Sequence, residues 1–203
     1  MNRNYSEKTA AQVMRGIYKR NEKQKPALAA SWIDSNGRQV ATDAYVVIRL
    51  NVPVPGLQDM PAAGMPDMDK CYPAHKADLE ELPQPSLEDL RALAAADRAA
   101  GKSAPRRYQY AFGVGLPVVD LRKLIEIMRV FPDVRIYRDP KKALAPLYFR
   151  SIDGDALLCQ VRIYGAPEEI AEKQSPRPIP QRREDAVQAY SLAAFAARFA
   201  PAA

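Results

Sequence analysis

One histidine, two cysteines and no long apolar run narrow what this 203-residue chain can do. His75 is the sole histidine, so Ser-His-Asp and Cys-His catalysis would both rest on it. It sits in a stretch crowded with helix and strand breakers, a poor platform for catalysis. Cys71 and His75 stand four apart but have no second ligand pair, which makes a poor zinc site. Cys71 falls in a proline-rich loop and Cys159 in a predicted strand. Two cysteines do not make a disulfide framework, and they fit a reducing, cytoplasmic setting. The opening residues MNRNYSEKTAAQVM lack the apolar core of a signal peptide, and no segment reaches membrane-spanning length, so no membrane association is expected. Gly113-Val114-Gly115 lacks the third glycine and the acidic anchor of a dinucleotide fingerprint, and no phosphate-cradling loop with Lys-Ser/Thr is present. Asp43, Asp153 and Asp155 read as turn and strand-end residues. The expectation is a protein that is not an enzyme, with no catalytic residues, no metal and no cofactor.

What is present is a core and a charge pattern. Hydrophobic residues make up 47% of the chain, enough for one folded domain with appendages. The 18 prolines bunch between Pro53 and Pro85 and between Pro167 and Pro180, which marks those stretches as lying outside the regular core. The net charge of +6 is unevenly spread. Residues 1–25 and 101–150 are strongly basic and residues 51–100 are acidic. Such asymmetry fits a face for a polyanion, or simply a solvated surface.

The element pattern is readable in order. Ser6 as N-cap, Glu7 in the first turn and Ala10, Val13, Met14 and Ile17 at helical spacing predict a helix over 6–20. Lys8, Gln12, Arg15 and Lys19 fall on its other face. Gly16 costs this helix stability unless it permits close packing. A strand is predicted over 27–33, a hairpin turn at Asp34-Ser35-Asn36-Gly37 and a return strand over 39–50. Residues 54–105 read as loop, apart from a helix over 86–100 capped by Ser86 and stopped by Gly101. Beyond it come a strand over 108–116 and a helix over 117–130 opened by Pro117 and lined by Val118, Leu121, Leu124, Ile125 and Met128. Arg122, Lys123, Glu126 and Arg129 lie on its outer face. Strands follow over 134–138, 146–151 and 156–164, with a turn at Asp153-Gly154. A proline-rich linker over 166–180 and an alanine-rich helix over 182–200 close the chain.

Two parts of this order match. Residues 1–51 and 106–165 each give a helix and then strands joined by Asn-Gly or Asp-Gly, an internal repeat of elements with slight sequence identity. Gly37-Arg38-Gln39-Val40-Ala41-Thr42-Asp43-Ala44-Tyr45 resembles the Ala-Thr-Asp-Gly-(His/Tyr)-Arg stretch of the bacterial DNA sliding clamp, the beta subunit of the replicative polymerase. Leu144-Ala145-Pro146-Leu147-Tyr148-Phe149, Asp153 to Leu158 and Val161-Arg162-Ile163 resemble the closing strands of that family's last domain. The likeness covers about half of the chain. It departs where Ala44 replaces the family's glycine and Val46 its arginine, and where the chain runs on past residue 163. The family carries three such domains per chain and closes as a ring of six. This chain has material for one.

The resemblance implies an α+β, clamp-like fold of two helix-plus-strands halves, residues 1–51 and 106–165. Between them lies an acidic, proline-rich insertion over 52–105 with one helix, and residues 166–203 add a linker and a C-terminal helix. Two functions follow as expectations. In the first, Lys8, Arg15, Lys19, Arg122, Lys123 and Arg129 share one face and bind duplex DNA through its phosphates without reading sequence, in a replication or repair accessory role. In the alternative, the chain is a protein-interaction module, a clamp mimic of a mobile element. It would take a protein partner in a cleft at Leu144, Pro146, Leu158, Cys159, Gln160 and Val161, and the C-terminal helix would plug that cleft.

Overall fold

The structure is a computed structural model that describes residues 5–57, 59–72, 78–102 and 106–180. His75 and the helix expected over 182–200 lie outside the described residues. The class is α+β, and the chain divides into two compact units. Unit 1 is Met1–Gln84 with Glu126–Arg162, and unit 2 is Pro85–Ile125 with Ile163–Ala203.

Unit 1 opens with helix α1 (Glu7–Asn21), capped as expected by Ser6, whose Oγ accepts the Thr9 N–H. Ala10, Val13, Met14 and Ile17 are buried. The strand expected over 27–33 is shorter. Pro26–Leu28 is a 3-10 turn, and only β1 (Trp32–Ile33) is extended. The buried Asn21 amide explains this, since it donates to Leu28 O at 2.6 Å and Thr42 O at 2.7 Å and pins the chain in a turn. The Asn36-Gly37 hairpin forms, with Gly37 at φ 77° and Asp34 Oδ1 accepting the N–H groups of Asn36 and Arg38.

The long return strand is in fact two, β2 (Gln39–Thr42) and β3 (Val46–Leu50), paired antiparallel. The break is made by side chains. Thr42 Oγ1 donates to Val46 O and accepts from Ala44 N–H, and Asp43 Oδ1 accepts the N–H groups of Tyr45 and Val46. Ala44 takes φ 73° in that turn. The acidic segment then adds an unforeseen strand, β4 (Glu80–Leu82).

The remaining elements are divided between the two units. In chain order these are α2 (Leu87–Ala100), β5 (Gln109–Ala111), β6 (Val118–Asp120), α3 (Leu121–Val130), β7 (Arg135–Arg138), β8 (Leu147–Arg150), β9 (Gly154–Leu158) and α4 (Pro167–Gln174). One seven-stranded antiparallel sheet runs β1-β2-β3-β9-β8-β7-β4. Around the β3–β9 seam the order mirrors itself: α1-β1-β2-β3 on one side, α3-β7-β8-β9 on the other. At the seam a Cβ on Gly154 would meet Arg49 O at 2.2 Å, so this hairpin residue has no room for a side chain. The strand expected over 156–164 stops at Leu158, and Tyr164 is exposed.

Both faces of this sheet are covered. The cross-strand row Ala41, Ile48, Ala156, Phe149, Ile136, Leu82 is buried throughout and lies on the face that α1 shares through β2. The opposite face carries Trp32, Val40, Val47, Tyr148 and Leu157, closed by Met68 with Met60, Met65, Tyr72 and Leu79 around it. The proline-rich stretch is therefore part of the core, because its apolar residues fill the second face.

Unit 2 contains α2, capped by Ser86 and stopped at Gly101 as expected. The predicted helix start at Pro117 is corrected. β5 and β6 form a hairpin, and α3 begins at Leu121, where Asp120 Oδ1 accepts the N–H groups of Arg122 and Lys123. The buried α3 residues are Leu121, Leu124, Ile127, Met128 and Val130, with Ile125 half-buried. The expected linker over 166–180 contains α4, a helix that opens on Pro167 followed by Glu168 and Glu169. Asp97, with no exposed surface, holds Arg177 through two contacts of 2.6 and 3.1 Å and accepts the Tyr108 N–H at 2.7 Å.

Candidate functional site

The outer face of α1 is a cationic surface of unit 1. The apolar stripe that turns Val13 and Ile17 inward leaves Lys8, Gln12, Arg15 and Lys19 exposed. With Gly16 these four line an open depression of about 470 Å³. Lys8 and Lys19 have no ion-pair partner among the described residues, and Arg15 donates to Gly56 O at 3.3 Å. Arg20, one residue further round, is spent elsewhere. It bridges Asp43 at 3.2 Å and grips Glu126 with two bonds of 2.7 and 2.9 Å. These partners hold its guanidinium even more firmly protonated despite burial. Asp43 and Glu126 are thus both engaged by Arg20. Arg129 Nη2 donates to Gln12 Oε1 at 2.8 Å, which sets the C-terminal part of α3 beside α1.

Of the six residues expected to share a basic face, unit 1 brings together Lys8, Arg15, Lys19 and Arg129. Arg122 and Lys123 belong to unit 2. Arg122 pairs with Asp120 at 2.9 Å and lies over the Tyr108 ring at 4.7 Å. Lys123 is half-buried.

The residues expected to take a protein partner gather at one end of the sheet. Leu147 and Val46 both pair with Leu158, so the start of β8, the end of β9 and the β2–β3 turn meet there. Gln160 donates to Ala145 O at 2.7 Å, and Cys159 N–H donates to Tyr45 O at 2.8 Å. Leu144 is 65% exposed, and Tyr45, which sequence reasoning did not select, is 60% exposed with Lys25 over its ring at 4.8 Å. Pro146, Cys159, Gln160 and Val161 are half-buried. Leu158 has no exposed surface and belongs to the core.

No family model, curated protein or solved structure matches the chain. The reading therefore rests on its own residues.

Among the described residues no group of three or more His, Cys, Asp or Glu is placed to hold a metal ion, and no helix is long and apolar enough to cross a membrane. Cys71 is exposed and Cys159 half-buried, both free thiols. The densest polar cluster escaped sequence reasoning. Arg49, with 4% of its side chain exposed, donates to both oxygens of Asp155 at 2.8 and 2.7 Å and to Asp69 at 2.7 Å. Arg38 joins Asp34 and Asp69, and the Tyr72 ring covers the Arg49 guanidinium at 4.1 Å. Arg38, followed by Arg49, holds the Asp69 carboxyl below the usual range. Burial pushes the Tyr72 phenol well up. An arginine in the middle of an apolar β run was the one available signal, but its partners are 20 and 106 residues away.

Proposed function

We propose that the chain is a non-enzymatic, clamp-like protein that binds duplex DNA through its phosphate backbone without reading sequence. The observation that carries this reading is the α1 face, with three exposed cations, Lys8, Arg15 and Lys19, along one side of the helix beside Arg129. At 1.5 Å per residue, Arg15 and Lys19 stand about 6 Å apart along the axis and Lys8 about 10 Å beyond, a span suited to one phosphodiester strand. Two further points support it. The mirrored order of helix and strands about the β3–β9 seam is the arrangement the clamp resemblance implies. Ala44 takes the left-handed conformation at the position where that family carries glycine.

The test is equilibrium binding to a short duplex over a salt series. Three to four phosphate contacts give a slope of log K against log salt of about −3 to −4. Unrelated duplexes should bind alike, and changing Lys8, Arg15 and Lys19 together to alanine should flatten the slope to about −1 or shallower. Absence of binding at about 0.05 M salt would sink the reading.

A second reading has its own observation, the exposed Tyr45 and Leu144 at the sheet end. There the chain is a protein-interaction module, and a partner captured by the wild type without DNA is lost by Leu144→Asp. Capture unaffected by that change would remove the sheet end from consideration.

A further inference from the structure

We propose that residues 60–72 form a charge-latched flap that opens as a unit and uncovers the sheet face around Trp32 while the sheet stays folded. The chain reaches that face by turning past the β1 edge. Before the turn, Gly56 O accepts from Arg15 on α1. At the turn, Asp59 bridges to Ser31, and Met60 N–H donates to Ser31 O at 2.8 Å. From there to Tyr72 the flap has one 3-10 turn, Met68–Cys71, and among the described residues its other backbone hydrogen bonds stay within itself: Met65 to Ala62, Lys70 to Asp67 and Tyr72 to Asp69. It is held by side chains rather than by a strand ladder.

Those side chains suit release. Three of the protein's six methionines, Met60, Met65 and Met68, supply the apolar contact together with Tyr72, and of the three methionines only Met68 is buried. Methionine packs without a fixed shape, so such a contact re-forms readily. The ionic hold converges on one carboxylate, beside the Tyr72 ring that lies over the Arg49 guanidinium at 4.1 Å. Asp69 accepts from Asn36 at 2.7 Å, Arg38 at 2.7 Å and Arg49 at 2.7 Å, with 45% of its side chain exposed.

The charges left behind remain paired. Arg49 keeps both bonds to Asp155, its direct cross-strand neighbour. Arg38 keeps Asp34 at 2.8 Å. Opening therefore strands no buried arginine, which is the usual penalty for breaking an interior ion pair. The departing carboxylate goes to water. A cover held by side chains over a well-paired sheet meets the condition for local opening below the global unfolding free energy.

Hydrogen exchange read by mass spectrometry tests this, with emission from Trp32, the single tryptophan, as a second signal. Asp69→Ala should speed exchange of the flap amides about tenfold or more, leave β3, β8 and β9 unchanged, and shift Trp32 emission to the red. Unchanged flap exchange, or flap and strands accelerating together, overturns the proposal. If the variant does not fold, the wild type decides in sub-denaturing urea. Flap amides that exchange with weak urea dependence, separately from the strands, support the flap. Amides that merge with the global transition overturn it.

Discussion

Single positions carry strain that a substitution can relieve or add. Ala44 sits at φ 73°, where a Cβ crowds the following carbonyl and costs about 1–2 kcal/mol. Part of that gain is offset by the greater freedom of glycine in the unfolded chain, so Ala44→Gly should stabilise by roughly 0.5–1 kcal/mol in urea denaturation. Gly16 is the converse case. It occupies the middle of α1, and a Cβ there would meet nothing nearer than an Arg20 nitrogen at 4.0 Å, so this glycine is not spared for close packing as its place in the helix suggested. Gly16→Ala should raise stability by about 1 kcal/mol by the same measurement. Tyr18 gives a pH prediction. Burial pushes its phenol from 10.0 up to about 12. The folded state thus holds this proton more tightly than the unfolded state does, so the stabilisation is complete below pH 10 and is lost as pH rises from 10 towards 12. Denaturation midpoints should fall across that alkaline window, and Tyr18→Phe should flatten the fall.

At the scale of elements, the sequence was legible where the determining contacts are local. Ser6, Ser86 and Gly101 mark helix ends because a cap acts within three residues of itself. Asn36-Gly37 marks a hairpin for the same reason. The division of 39–50 into β2 and β3 was hidden by an unbroken Val, Ile and Tyr composition, although Thr42-Asp43 had the side chains to turn the backbone on itself. Pro117 misled in a similar way, since proline is tolerated both at a helix start and beside a short strand, and the true cap is Asp120. What joins distant segments left almost no trace. The candidate α1 face followed from periodicity alone, whereas Tyr45 joins Cys159 only once β3 and β9 pair. The buried Asp97–Arg177 pair spans 80 residues and ties the segment after α4 to α2 within unit 2. Arg177→Met removes the two-bond ion pair from the buried Asp97 carboxylate, with an expected cost of about 3–5 kcal/mol. Hydrogen exchange should place that loss in α2 and β5. Equal loss across the seven-stranded sheet would argue against a pair that serves unit 2.

At the scale of the whole molecule, the clamp resemblance raises the matter of assembly, and the sheet edges bear on it. A ring built from single-domain chains needs edges that accept another strand. Here one edge is β1, two residues long, with Ser31 already bridged to Asp59. The other is β4, three residues long, carrying Glu80 and Glu81, which pair with Arg138 at 2.7 Å and Arg135 at 3.9 Å. Short strands with charged side chains are how sheets refuse edge-to-edge pairing. A monomer near 22.6 kDa is therefore expected in light scattering at micromolar concentration. The consequence for the proposed DNA binding is quantitative. A monomer that cannot encircle DNA would rely on the few phosphate contacts of the α1 face, so a fourfold rise in salt should weaken it about 60- to 250-fold. It should also dissociate from closed circular and linear duplexes equally fast, because no topological link forms. Retention on circular DNA in high salt, or a ring-sized assembly in scattering, would show that the edges pair after all.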